Sequence, residues 1–159
     1  MQNKYQFYAK AATVVLIGLC CSYGANAAGN ELKPSPEQVN PCAQGVQFSV
    51  ATISPYTNLM GKVIDAANAV KTAKQAAAFG VNLQNLAPSI VAAHNQLESA
   101  LPNLTCLLQN KRMTPDATAA HALLTSFLDR DTDDLMPKLQ LIEKLAPQTS
   151  TIINQIINL

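Results

Sequence analysis

The sequence contains no Trp, only four Phe and four Tyr, and charged side chains at 13% of positions. Its 11 basic residues are balanced by 10 acidic ones, a net charge of +1. A nucleic-acid-binding domain normally carries a clustered basic excess, so this balance argues against that class. Disordered chains combine low hydropathy with high net charge, and 48% apolar content excludes that class too. The chemistry-bearing motifs are missing as well. There is no H-E-x-x-H, C-x-x-C, G-x-S-x-G, Walker-type loop or dinucleotide fingerprint. No stretch alternates with period two for long enough to be a strand, and no internal repeat or domain linker is visible. The 159 residues are one domain's worth of chain.

What is present begins with an address. Lys4 and Lys10 precede a short apolar run, Ala11 to Leu19, and Ala25-Asn26-Ala27 supplies the small residues that signal peptidase requires. The run is far short of the ~20 residues needed to span a bilayer. Residues 1–27 therefore read as a cleaved secretory signal peptide. Leu19 before Cys20, and Cys20 before Cys21, do not suit lipidation. Loss of the leader leaves 132 residues with 9 basic and 10 acidic side chains, and takes half the aromatics, so the core must be built from Leu, Ile, Val and Ala.

Cys20 and Cys21 leave with the leader, so the mature chain holds Cys42 and Cys106 alone. Two cysteines in an exported chain are expected to pair. Closing a loop of about 65 residues would stabilise the fold by roughly 4 kcal/mol in the chain-entropy model.

Residues 28–40, with Pro34 and Pro36, read as an extended polar lead, and residues 41–159 as a single helical domain. Asn40-Pro41, Ser54-Pro55 and Thr114-Pro115 each suit an N-cap followed by the first helical residue, and Gly80 suits a C-terminal stop. Leu59, Val63, Ala66, Val70, Ala73 and Ala77 share one arc between Pro55 and Phe79. From Leu83 through Ile90, Leu97 and Leu104 to Leu108 the apolar steps are all three or four, with Pro88 and Pro102 kinking the helix without ending it. Two further stripes follow, Ala117 to Leu128 and Leu135 to Ala146, and Ile152, Ile153, Ile156 and Ile157 form a short apolar helix after Pro147. The expectation is an all-α compact bundle of four main helices with short terminal ones, in which the disulfide staples the first helix.

Candidate sites are few. His94 and His121 lie on the apolar stripes of their helices, as packed histidines do. A His94 and Glu98 pair at i, i+4 is the alternative, as ligands or an acid-base couple of a small metal-dependent hydrolase. Asp129, Asp131 and Asp133 match positions 1, 3 and 5 of a calcium loop. Asp134 stands where that loop needs Gly, and Gln140 where it needs a bidentate Glu. The simpler reading is that these carboxylates complement the start of the following helix, with a weak cation site as the alternative. Lys74 falls on the apolar arc of its helix, flanked by Lys62 and Lys71, where it is expected to snorkel. Alternatively these three, with Lys111 and Arg112, contact an acidic lipid head group. Asn103-Leu104-Thr105 is a formal glycosylation sequon, which the bacterial character of the leader argues against.

The mature chain carries 11 Asn and 10 Gln, more amides than charges, which suits neutral, adaptable contacts. These features point to an exported, non-enzymatic binding protein of a Gram-negative bacterium, periplasmic or secreted, possessing no cofactor. It would engage a partner protein or an acidic lipid head group, as a virulence-type factor does. A periplasmic chaperone or secretion-system accessory docking through its apolar end helix is the alternative, although the repeated Leu-Thr-x-x-Gln signature of small helical periplasmic chaperones is missing.

Overall fold

Two hydroxyl side chains set the helix starts in the first half of the domain. Ser49, extended at φ −144°, accepts the Thr52 amide at 3.3 Å and opens α1, Val50–Asn68. Thr72 accepts the Gln75 amide at 3.3 Å, while Gln75 Oε1 accepts the Thr72 amide at 3.1 Å. This reciprocal capping box opens α2, Ala73–Gln109, 37 residues long. Thr114 caps α3, Pro115–Leu128, with Pro115 at its first position as expected. Helix α4 spans Leu135–Leu145, a 3₁₀ turn covers Pro147–Thr149, and α5 spans Ser150–Ile157. The computed structural model describes Cys42, residues 45–129 and residues 135–159. The leader 1–27, the lead 28–40, the Asn40-Pro41 cap, Asp131 and Asp133 lie outside the described residues.

Among the described residues all regular structure is helical, and four main helices with a short terminal one pack as a compact bundle. Helix α1 is its centre, packed on α2, α3 and α4, while α5 and the 3₁₀ turn lie along α2. Ile53, Ile90, Leu104, Ile142 and Ile153 are the largest fully buried side chains. The four aromatics among the described residues, Phe48, Tyr56, Phe79 and Phe127, are all buried. Tyr56 meets Phe127 edge-on, with centroids 6.1 Å apart at 76°. Asp116, in the first turn of α3, accepts the Val50 amide at 3.5 Å and so places one carboxylate beside two helix N-termini.

Four expectations are corrected. First, residues 45–49 are not helical, and Gly45 sits at φ 98°, so no helix runs from Pro41 through this segment. Second, α1 begins at Val50 rather than Pro55. Pro55 is exposed within the helix, and the Ala51 carbonyl it deprives of a donor belongs to an exposed residue within reach of water. Pro88 and Pro102 sit the same way on α2, which runs through both. Third, the arc from Pro55 to Phe79 is two helices, because the Thr72 capping box starts a new one. Fourth, Gly80 is not a stop but lies inside α2, buried against the 3₁₀ turn.

The Cys42–Cys106 disulfide is formed, with Cα atoms 5.5 Å apart. Because Cys42 precedes α1, the bond ties that leading segment, rather than the first helix, to the C-terminal end of α2. In the amide orientation that satisfies both neighbours, Asn103 donates to the Cys42 carbonyl and accepts the Phe48 amide at 3.2 Å. The sequon asparagine is therefore a latch of the same segment.

Candidate interaction groove

The cation set proposed for an acidic head group does not form one site. Lys62, Lys71 and Lys74 are exposed around the α1–α2 turn. Lys111 and Arg112 follow the far end of α2, separated from Lys74 by roughly 50 Å of helix at ~1.5 Å per residue. Both have a structural task there. Lys111 stands in the left-handed region at φ 52°, its amide donates to Leu108 at 3.2 Å, and the Arg112 amide donates to Leu107 at 3.0 Å. That is the paired hydrogen-bond pattern that closes a helix C-terminus, a position usually held by Gly. Lys74 belongs to α2 while Val63 belongs to α1, so the shared arc behind its snorkelling role does not exist.

His94 Nε2 lies 3.8 Å from Glu98 Oε1, so the i, i+4 pair is present. The His94 side chain is 10% exposed and that of Glu98 57%, and the imidazole packs 5.9 Å from the Tyr56 ring. No group of three or more His, Cys, Asp or Glu able to hold a metal exists among the described residues. His121 is half-buried in a shallow depression of α3 with Thr125, Ser126 and Asp129; Asp129 is exposed at the helix end. A largely enclosed void of about 20 Å³ between Met60, Leu83, Leu139 and Ile153 is apolar and has room for one water at most.

A groove of about 680 Å³ lies between α2 and α5. Gly80 builds its floor. A Cβ there would collide with Thr149 Cγ2 and stand 3.3 Å from Thr149 Cβ. Glycine therefore lets the 3₁₀ turn, and α5 behind it, lie directly on α2. Thr149 is buried, its hydroxyl donating to the Ala146 carbonyl at 2.8 Å, so its methyl has a fixed direction. On the α2 side the wall is Ala77, Val81, Gln84, Ala87, Pro88 and Val91; on the other it is Gln148, Thr151, Ile152 and Gln155. Val81 is 62% exposed, the most exposed large hydrophobic of the described residues. No lining residue is ionisable.

These residues were missed by reading the sequence for apolar stripes, because α2 carries two. One faces the core; the other, through Ala77, Val81, Gln84, Pro88 and Val91, faces outward. A signal was available. Gln75–Ala93 and Leu145–Leu159 are both free of ionisable side chains, and these two segments form the groove. The chain matches no protein-family model, no curated protein and no solved structure. No helix among the described residues is long and apolar enough to cross a membrane.

Proposed function

We propose that the protein is an exported, non-enzymatic binding protein that works through protein–protein contact made by the α2–α5 groove. The observation that carries this reading is the groove itself, a cleft with an exposed valine, a glycine floor and an amide rim, from which every charge is excluded. Apolar anchors ringed by groups that both donate and accept suit a polypeptide surface. A phosphate head group would need cations, and none lines the cleft. The leader-like start and the disulfide support an oxidising compartment outside the cytoplasm.

The test is a photo-crosslinking amino acid at Val81, with Thr118 on the exposed face of α3 as control, in cells that export the protein. A discrete adduct from Val81 and none from Thr118 is expected, in the periplasmic or culture-supernatant fraction. Failure to cross-link at Val81, or equal labelling at both positions, overturns the reading.

A further inference from the structure

We infer that the partner for which this groove is shaped is a second copy of the chain, laid antiparallel along α2. The inference rests on reading the groove as a protein-binding surface and names its occupant. The outward stripe of α2 passes from Lys74 through Val81, Gln84, Pro88 and Val91 to Glu98 in steps of three, four or seven. Lys74, Val81, Gln84, Pro88 and Glu98 are exposed and Val91 is half-buried. Such alternation is what lets two helices interlock along a seam.

The stripe is also self-complementary in one direction only. Its midpoint is Leu86, twelve residues from both Lys74 and Glu98. A two-fold axis there sets Lys74 of one copy against Glu98 of the other, at both ends of the seam. It sets Val81 against Val91, and Gln84 against Pro88. A parallel pairing would place lysine on lysine and glutamate on glutamate.

An isologous interface presents each patch to itself, so any unpaired charge near the axis meets its own like. The charge-free stretch from Gln75 to Ala93 avoids that cost. Gln84 and Pro88, the stripe residues nearest the axis, meet each other there, an uncharged amide against an apolar ring. The second copy's helix would run beside α5 and cover Val81 and Ile152, which face the groove. The seam is about 36 Å long and one helix wide, the size of a weak, reversible association.

The experiment is sedimentation equilibrium over roughly 1–300 µM on protein purified from an exporting host, with the mass of the Val81 cross-link read alongside. Wild type should dimerise reversibly, and Val81→Glu should remain monomeric with unchanged far-ultraviolet circular dichroism. Lys74→Glu and Glu98→Lys should each raise Kd roughly tenfold, because each sets two like-charge pairs. The double variant should return to within about threefold of wild type. That swap guards against mere unfolding, since it carries both changes and must still assemble. A Val81 adduct of twice the chain mass supports the second copy as occupant. A monomer throughout, a dimer indifferent to Val81→Glu, or a swap that fails to restore association overturns the inference. If Val81 then labels a protein of another mass, the binding reading stands without the homodimer; no adduct at all removes both.

Discussion

The two ends of α2 hold their neighbours by opposite means. Near its C-terminus, Cys106 holds the segment before α1 through a covalent bond, reinforced by the Asn103 latch. Asn110, at the C-cap, adds a 2.8 Å hydrogen bond to the Cys106 carbonyl and lies 3.4 Å from Cys106 Sγ. In the N-terminal half, close packing holds α5, where Gly80 admits Thr149 and Ile153 is sealed at 1% exposure. A cross-link acts largely by restricting the unfolded chain, while close packing acts in the folded state and depends on each methyl group. The polar, cross-linked end serves stability. The packed end leaves an open cleft, and the proposed binding role belongs there.

The largest effect should come from the covalent end. Cys42→Ser with Cys106→Ser should lower unfolding free energy by about 4 kcal/mol, measured by urea denaturation of oxidised and variant protein. Helix content should be unchanged in the absence of denaturant, since the cysteines sit outside α1 and at the edge of α2. A loss under about 1 kcal/mol would mean that the loop is already restrained in the unfolded chain.

At the packed end, Ile153→Ala should cost about 3 kcal/mol, the usual cavity-forming loss for a sealed aliphatic side chain. Amide hydrogen exchange should quicken first in Ser150–Ile157, because α5 has no covalent tie to α2. Uniform quickening across α1 as well would show that the two ends unfold as one unit.

Gly80→Ala opposes two effects. The helix gains propensity worth about 1 kcal/mol, but the added methyl collides with Thr149 Cγ2. Overpacking of this kind costs about 1–3 kcal/mol, so a net loss of about 1 kcal/mol is expected. Thr149→Ser removes the offending methyl and keeps the hydroxyl bonded to Ala146. In that background only the 3.3 Å approach to the Cβ of residue 149 remains, so Gly80→Ala should become stabilising, by less than about 1 kcal/mol. If the sign does not reverse in thermal denaturation, Thr149 is not what requires the glycine.

Much of the fold was legible in the sequence because its carriers are local. The three-and-four spacing from Leu83 to Leu108 marks a helix that two exposed prolines do not end, and Thr114-Pro115 is a cap by residue type alone. The Cys pair followed from counting. The errors came where two local patterns compete and a distant contact decides. Ser54-Pro55 resembles a start, yet Ser49 caps the helix, and Thr52 bonds back to the Gln47 carbonyl at 2.9 Å. Gly80 resembles a stop, yet its partner Thr149 is far along the chain. The groove was hidden for the same reason, being made from one outward stripe and a helix whose position depends on that glycine. Lys74 and Lys111 suggested one basic patch only while the length of α2 was unknown.

The smallest effect concerns the opposite placement of glycine along α2. The helix carries Gly80 in its interior, where propensity disfavours it, and Lys111 at its stop, where a left-handed φ of 52° favours Gly. The first exception is explained by Thr149. For the second, both stop hydrogen bonds are made by backbone groups and need nothing from the lysine side chain. Lys111→Gly should therefore stabilise the domain by about 0.5–1 kcal/mol, visible as a rise of several degrees in the melting temperature. It should leave groove cross-linking and self-association unchanged, since the seam ends at Glu98. A destabilising result would mean that the Lys111 side chain makes a contact worth more than the strain, which would reopen this end of α2 as a binding surface.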